Sequence, residues 1–334
     1  MNLTKRMVLA FTLAGGLLLG TVSQTGTKTA AAAAMQQYSS SSSRSVRLPN
    51  ADIYALNNQN VIFVMRPGMR SFQPLFQVRN IDGNLIGLDF RPSDGNANMV
   101  YGLTDAGSVY QISLVRPLGA TTLVSRVTPR FGGGFQSLMD FNPVVDALRL
   151  IGSSDENYAL VNSGGNLNVT AVQTPMAYDP ADVNQGVNPN LSGGAYTNNV
   201  AGATSTLFYA FDYNLDTFVT ISSVNAGGSS NTGGGLLQTL GPVVDQNNNP
   251  INLSPTADMD IVTDRNGVNT LVAVSGQRLF TIDLNQLAPA LPLGQVRNIV
   301  AQGISMNDMG GGFIDIAVSP FGTTRLRSGI IPLP

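Results

Sequence analysis

Carboxylates recur inside apolar segments that otherwise resemble β-strands. Asp89 lies in LIGLDFRP, Asp140 in FQSLMDFNP, Asp260 in ADMDIVTD and Asp315 in GGFIDIAVSP, while Thr197 takes the expected position in a related segment, GGAYTNN. Such carboxylates could bind a cation such as Ca²⁺, or act as a pair in glycoside hydrolysis. They could instead accept hydrogen bonds from main-chain N–H groups or a neighbouring Arg, because a buried carboxylate must find donors.

The repetition favours the third interpretation, since a site is usually built once whereas a structural device recurs. Calcium takes six to eight oxygens, usually from one loop. No D-x-[DN]-x-[DN]-G loop occurs, and the nearest segment, DPAD (179–182), contains Pro180. We therefore predict that the repeated carboxylates are structural and that the chain has no metal, cofactor or catalytic residue; ligand-binding residues stay unknown.

Missing residue types exclude several functions. The chain has no His, no Cys and no Trp, and Glu156 is its one glutamate. Ser–His–Asp and Cys–His catalysis, zinc in its usual ligation and haem with a His or Cys ligand are therefore excluded. No disulfide can form, so the fold depends on its core.

The first 34 residues have the layout of a secretory signal peptide. Lys5 and Arg6 precede an uncharged apolar run, Met7–Gly20, and the tract Ala30–Ala34 offers a cleavage site. The run is short for a membrane span, although an uncleaved anchor is the alternative. We expect general (Sec-type) export, a secreted or periplasmic location and no stable membrane insertion after cleavage. The Ser-rich segment 35–47 is expected to be a disordered linker, which leaves 48–334 as the folded domain.

The mature chain is mildly acidic. Of 18 basic residues, Lys5, Arg6 and Lys28 lie in the first 34, which leaves 15 Arg against 20 acidic residues and a net charge of −5. This balance gives no electrostatic footprint for nucleic acid and no basic patch for anionic lipid.

The rest of the chain is typical of an all-β fold. Short runs rich in β-branched and aromatic residues alternate with turn residues such as NN, RPG, DG and DAG. In the first part of the domain the predicted strands are 51–56, 60–65, 74–79, 85–90, 99–103, 108–114 and 121–127.

A repeat of about 50 to 65 residues decides the architecture. Each of the first four repeated segments, including GGAYTNN, is followed by two strands, as in MVYGLTDAGSVYQISL. A weaker fourth strand then follows: TTLVSRV, NLNVTAV, GLLQTL or QVRNIV. Four strands per repeat indicate a propeller blade. The last Asp strand lacks these followers and the N-terminal strands lack an Asp strand, so together they complete one blade. We predict a five-bladed β-propeller closed in this way; six blades are the alternative if 172–196 or 222–257 hides further strands.

Glycine clusters at Gly132–Gly134, Gly193–Gly194 and Gly310–Gly312 precede innermost strands, where chain segments must approach closely. No Lys and no following helix accompanies them, which excludes a phosphate-binding loop. The segment Gly227–Gly235 (GGSSNTGGG) is expected to be a floppy excursion.

Several segments resemble an exported bacterial domain-of-unknown-function family, number 4394. They are DGNLIGLDFRP, VYGLTDAGSVYQI, MDFNPVVDALRLIGSSDENYALVNSGGNL and AYTNNVAGATSTLFYAFDYNLDTFVTI. The part AYTNNVAGATSTLFY is the most specific. The resemblance covers about Ile53 to Val318. It implies export and a propeller-like repeat, and it implies no reaction and no catalytic residues.

These observations predict an exported, non-enzymatic scaffold, most simply a monomer, that binds an unknown protein or glycan at the envelope or outside the cell. The alternative is a secreted, Asp-dependent hydrolase acting on sugars. A third, weaker alternative is a structural component of an extracellular layer.

Overall fold

The computed structural model of the protein describes residues 48–163, 166–305 and 312–319. The predicted signal peptide (1–34) and linker (35–47) lie outside these residues. The described chain forms β-strands and three short 3₁₀ segments, and that part of the chain contains no α-helix. No described segment forms a helix with the length and hydropathy needed to cross a membrane.

The strands are β1 (Ile53–Asn57), β2 (Val61–Met65), β3 (Gln73–Gln77), β4 (Leu85–Asp89), β5 (Met99–Thr104), β6 (Ser108–Ser113), β7 (Thr121–Arg126), β8 (Leu138–Asn142), β9 (Ala147–Ile151), β10 (Asn157–Ser163), β11 (Asn166–Val172), β12 (Ala177–Tyr178), β13 (Leu191–Tyr196), β14 (Phe208–Asp212), β15 (Thr217–Ile221), β16 (Leu236–Val244), β17 (Asp258–Thr263), β18 (Asn269–Ser275), β19 (Arg278–Ile282), β20 (Ile299–Ser305) and β21 (Phe313–Val318).

These strands assemble into four-stranded antiparallel groups. Group 1 has the order β21-β1-β2-β3, group 2 is β4-β5-β6-β7 and group 3 is β8-β9-β10-β11. Group 4 (β13-β14-β15-β16) and group 5 (β17-β18-β19-β20) share one larger sheet, because β16 and β20 pair in parallel through Val243–Ile299 and Val244–Val300. The short strand β12 also pairs in parallel with β16.

The first strands of the groups form a closed circle. In order, β21, β4, β8, β13 and β17 lie against one another, and β17 returns to β21. Strand β21 is held in group 1 by antiparallel pairing with β1, in which Tyr54 faces Ala317 and Leu56 faces Asp315. The sequence predicts this pairing, and the structure confirms it together with the all-β, propeller-like architecture.

The hairpin between the second and third strands of each group contains one residue in the left-handed region. These residues are Asn60 (φ 60°), Gly107 (φ 82°), Asp155 (φ 64°), Asp216 (φ 54°) and Gly276 (φ 58°). Gly, Asn and Asp are the residues that adopt positive φ at the lowest cost. The local sequence therefore specifies where each strand pair turns back.

The hydrophobic core is divided among the contacts between neighbouring groups. One cluster lies at each such contact, because the inner and middle strands bury both faces. Representative pairs are Tyr54 and Phe90 between groups 1 and 2, Tyr101 and Phe141 between groups 2 and 3, Leu138 and Phe208 between groups 3 and 4, Phe211 and Phe280 between groups 4 and 5, and Val272 and Phe313 between groups 5 and 1.

The fourth strand of group 5 differs from the prediction. The expected segment was 295–300, but β20 spans Ile299–Ser305. The main-chain N–H of Arg297 donates to the carbonyl oxygen of Leu240 at 2.9 Å, and its guanidinium donates to the carbonyl oxygens of Gln286 (2.8 Å) and Pro289 (2.6 Å). These bonds hold the segment against β16 as a loop, so the strand begins only after it.

The Gly-rich segment Gly227–Gly235 is ordered, contrary to expectation. Ser230 is buried, and its hydroxyl oxygen accepts a hydrogen bond from the N–H of Phe208 at 2.9 Å. Thr232 is also buried and accepts from the guanidinium of Arg149 at 2.6 Å. The Ser and Thr side chains supply acceptors to buried donors, which composition alone does not reveal.

Groups 4 and 5 approach each other so closely at Gly193 that no side chain fits there. A Cβ at this position would lie 2.5 Å from the Cα of Asp258 and 2.8 Å from the carbonyl oxygen of Ala257. Because those atoms belong to main chain, we expect Gly193→Ala to lower the free energy of unfolding by about 1–3 kcal/mol. Urea unfolding followed by circular dichroism measures the change.

The matched control is Gly303→Ala. Its Cβ would meet its nearest neighbour, the Cβ of Phe280, at 3.6 Å, which is ordinary contact. This variant should change the free energy of unfolding by less than about 0.5 kcal/mol. Equal losses in the two variants would contradict a close-approach role for Gly193.

Candidate functional site

The circle of inner strands gathers the repeated carboxylates. Asp89, Asp140 and Asp260 share one register position, as judged by their pairing with equivalent residues of the adjacent second strands. The pairs at this position are Ala317–Tyr54, Asp89–Tyr101, Asp140–Arg149, Ala195–Tyr209 and Asp260–Val272. The circle therefore carries three aspartates and two alanines at this level.

Asp315 lies two residues out of register with the other three aspartates. It shares a second level with Asp258, which the repeat alignment did not single out. The pairs at this level are Asp315–Leu56, Gly87–Leu103, Leu138–Ile151, Gly193–Phe211 and Asp258–Val274. Thr197 follows the end of β13, so Ala195 and not Thr197 is the structural counterpart of Asp89.

Asp258 could have been found from the sequence. The segment ADMDIVTD has two aspartates at positions i and i+2, which a β-strand places on the same face. The sequence signal was therefore present.

Each of these carboxylates accepts a hydrogen bond from the main chain of the next inner strand. The bonds are Leu88 N to Asp315 (2.8 Å), Phe141 N to Asp89 (2.6 Å), Tyr196 N to Asp140 (3.1 Å), Ile316 N to Asp258 (2.8 Å) and Val318 N to Asp260 (2.5 Å). They join group 1 to 2, group 2 to 3, group 3 to 4 and group 5 to 1. The closing contact has two such bonds, because β17 contributes both Asp258 and Asp260.

The junction between groups 4 and 5 uses other means. Gly193 stands at the second level there, and β17 packs directly against its Cα. Beyond the end of β13, the N–H groups of Asn198 and Asn199 donate to side-chain oxygens of Asn269 and Thr263, each at 2.8 Å. Close backbone approach, the side-chain amide of Asn269 and the hydroxyl of Thr263 replace the carboxylate at this junction.

Burial and mutual repulsion favour the protonated form of the cluster. All five aspartates are at most 4% exposed. Burial raises the pKa of Asp89, Asp140, Asp258 and Asp315 well above the usual value, and the charges of neighbouring aspartates raise these pKa values further. Burial raises the pKa of Asp260 to about 6.

Three of the carboxylates have the spacing of a cation site. One oxygen from each of Asp89, Asp140 and Asp260 lies within 4.8 Å of the other two. Carboxylate oxygens suit Ca²⁺ and Mg²⁺, yet Ca²⁺ takes six to eight oxygens. Each of the three already accepts at least one main-chain N–H. The arrangement can neutralise its charge with protons or with a cation, and the absence of a metal remains a prediction.

A second polar cluster connects groups 2 and 3 and was not found from the sequence. The buried guanidinium of Arg91 donates to Asp146 at 2.7 and 2.5 Å and lies 3.4 Å from Asp94. The hydroxyl of Tyr101 donates to Asp94 at 2.5 Å. Burial alone would raise the pKa of Asp146, but hydrogen bonds from the side chains of Arg91, Ser93 and Asn162 lower it. Arg91 thus ties both carboxylates into an ion-pair lock between groups.

The matching family model is described as Domain of unknown function (DUF4394), and it matches residues 60–304. The chain belongs to this family. No curated protein matches this DUF4394 chain.

Two solved structures are distantly similar to the DUF4394 chain. One is a structural genomics protein of unknown function from Bacteroides thetaiotaomicron, at 12% identity and a TM-score of 0.43, covering 82% of this chain and 65% of that one. The other is the β-propeller domain of Cps50 (Swd1) from Myceliophteria thermophila, at 12% identity and a TM-score of 0.36, covering 74% of this chain and 70% of that one. The DUF4394 chain thus spans slightly less than two thirds of the first structure, and at these TM-scores neither assigns a function.

The raised pKa values predict how stability depends on pH. A group with a folded-state pKa above its unfolded value stabilises the fold at low pH and loses this effect as pH rises through the folded pKa. Asp260 has a folded-state pKa of about 6. Its ionisation alone should lower the free energy of unfolding by about 1 kcal/mol between about pH 5 and 8, and ionisation of the other four carboxylates should lower it further. Denaturant unfolding at several pH values, without divalent cations, measures it.

Two variants separate this effect from a general pH response. Asp260→Asn should reduce the dependence over that range. Asp264→Asn is the control, because hydrogen bonds from the main chain lower the pKa of this exposed carboxyl and place its titration below the range. Stability that rises from about pH 5 to 8, or a wild-type dependence that millimolar Ca²⁺ abolishes, would contradict neutralisation by protons.

Proposed function

We propose that this DUF4394 protein is an exported, five-bladed β-propeller that acts as a non-enzymatic scaffold and binds a protein or a glycan at the envelope or outside the cell. The four-stranded groups and the circular order of their first strands support five blades. The alternative of six blades has no support from the described residues. The segments 172–196 and 222–257 contribute strands of groups 3 and 4, β12, one 3₁₀ segment and two isolated bridges, Val224–Ser230 and Val244–Pro250.

One observation carries the non-enzymatic assignment. Glycoside hydrolysis needs two carboxyl groups that reach the substrate. The five clustered aspartates are at most 4% exposed, and each accepts a hydrogen bond from the main chain. Asp94 and Asp146 are likewise engaged by Arg91. These contacts favour a structural role over catalysis.

Export rests on the N-terminal pattern of Lys5, Arg6, the apolar run Met7–Gly20 and Ala30–Ala34. The net charge of −5 after removal of these residues disfavours nucleic acid as a partner. We infer a secreted or periplasmic monomer with a short polar linker ahead of the propeller.

The location is tested with the full chain carrying a C-terminal tag in a bacterial host. The protein should appear outside the cytoplasm, shortened to a start near residue 35, as read by N-terminal sequencing. A variant with Leu17→Arg and Leu18→Arg, which interrupts the apolar run, should stay in the cytoplasm at full length. Full-length wild-type protein in the membrane fraction would contradict cleavage and support an anchor.

Binding and catalysis are tested on the secreted protein. Affinity capture from envelope fractions and a glycan array should give a specific ligand, and incubation with the captured glycan should release no reducing ends. If the wild-type protein hydrolyses a glycan and Asp94→Asn or Asp146→Asn abolishes this activity, the scaffold proposal is wrong and the protein is a hydrolase. Absence of any ligand in both assays would contradict the binding role.

A further inference from the structure

A cavity of about 320 Å³ lies outside the carboxylate cluster, between the turn that follows β16 and the strands β19 and β20. Its polar side is lined by Asp245, Gln246, Asn247 and Arg278. Ligand sites usually have volumes from about 300 Å³ upward and combine an apolar wall with a few convergent polar groups. The cavity meets both conditions at the lower limit of size.

Hydrogen bonds fix the polar turn. One carboxylate oxygen of Asp245 accepts the N–H groups of Asn247 (2.8 Å) and Asn249 (2.9 Å), and the other accepts the side-chain amide of Asn249 (2.9 Å). These bonds lower the pKa of Asp245, and the charge of Arg278 adds to this effect. The carboxylate therefore stays ionised and can accept further hydrogen bonds from a ligand.

The side chains of Gln246, Asn247 and Arg278 line the cavity without a hydrogen bond or ion pair to another described side chain. Gln246 and Asn247 are exposed, and their carboxamides make no hydrogen bond among the described side chains. None of the three ion pairs within the described residues includes Arg278. The segment 150–264, which includes all of the facing group 4, contains no Lys or Arg. Arg278 is thus the cation that this cavity presents.

The inner wall is apolar. Ile251, Phe280 and Ala301 line it beside Gly303. Phe280 and Gly303 face each other on adjacent strands, so both positions point to the same side of the sheet. The missing side chain at Gly303 leaves part of the cavity open, since a Cβ there would meet no atom closer than 3.6 Å.

We propose that this cavity binds a carboxylate-bearing sugar, such as a hexuronic acid unit of an acidic polysaccharide. The sugar carboxylate pairs with Arg278, and its hydroxyl groups exchange hydrogen bonds with Gln246, Asn247 and Asp245. The less polar face of the sugar ring packs against the wall formed by Ile251 and Phe280. The charge of Asp245 acts on Arg278 without forming an ion pair with it, so the guanidinium can pair with a ligand carboxylate, which is why we assign an acidic sugar. This assignment rests on the glycan-binding form of the proposed function.

The test uses the secreted wild-type protein with a trimer of D-galacturonic acid and a trimer of D-glucuronic acid as probes, and neutral galactose oligomers for comparison. Isothermal titration calorimetry should show binding of at least one acidic trimer and at least tenfold weaker binding of the neutral oligomers. Arg278→Gln should weaken acidic binding at least tenfold. Its control, Arg265→Gln, removes an exposed arginine of the same group and should change binding less than twofold.

A second variant blocks the cavity without altering charge. Gly303→Leu should weaken acidic binding at least tenfold. Gly134→Leu is its control, because a Cβ at Gly134 meets no atom within 4 Å and that position lies in the loop between β7 and β8, outside the cavity lining. Circular dichroism verifies that both leucine variants keep the wild-type fold.

The outcomes separate this site from the proposed function. If acidic trimers bind and both Arg278→Gln and Gly303→Leu retain the affinity, the cavity assignment is wrong while glycan binding stands. If no acidic trimer binds but affinity capture yields a neutral glycan or a protein, the cavity assignment is wrong and the scaffold stands. If neither probe nor capture finds a ligand, both are wrong.

Discussion

A buried carboxylate needs hydrogen-bond donors, and in this chain the donors come from the neighbouring inner strand. Asp89 reaches the N–H of Phe141 and Asp140 reaches that of Tyr196, so the side chain of one group satisfies the main chain of the next. Inner strands of separate sheets have no ladder between them, and their N–H groups would otherwise stay unpaired. The aspartates accept hydrogen bonds from such N–H groups at four of the five contacts between groups.

The same constraint explains why one junction looks different. Between groups 4 and 5, Gly193 permits direct backbone contact, and the outer strands β16 and β20 pair in parallel. Groups 1, 2 and 3 share no such outer pairing in the described residues. Contact at the outer edge therefore accompanies the loss of a carboxylate at the centre. The apolar core follows this arrangement, because each cluster belongs to one pair of neighbouring groups.

Much of the fold could be predicted from the sequence. Turn residues such as Asn60 and Gly107 and the apolar runs between them mark the strands, and the unfinished repeats at both ends predict the pairing of β1 with β21. The position of β20 could not be predicted in this way, because hydrogen bonds from Arg297 to the carbonyl groups of Leu240, Gln286 and Pro289 hold the preceding segment as a loop.

The site was predicted less completely. Asp89, Asp140 and Asp260 were found because they interrupt apolar runs, but the level of Asp315 depends on pairing with Leu56, which motif alignment misses by two residues. The lock around Arg91 joins residues far apart in sequence, and the cavity beside Arg278 depends on how two groups meet. Neither leaves a local pattern.

The pairing of β21 with β1 has a consequence for the order in which the molecule is completed. A chain is synthesised from its N-terminus, so β1, β2 and β3 exist long before the strand that must lie beside them. Until residues 313–318 emerge, Asp258 and Asp260 lack the amides of Ile316 and Val318. Until that strand has been synthesised, group 1 lacks its first strand and the circle of inner strands cannot close.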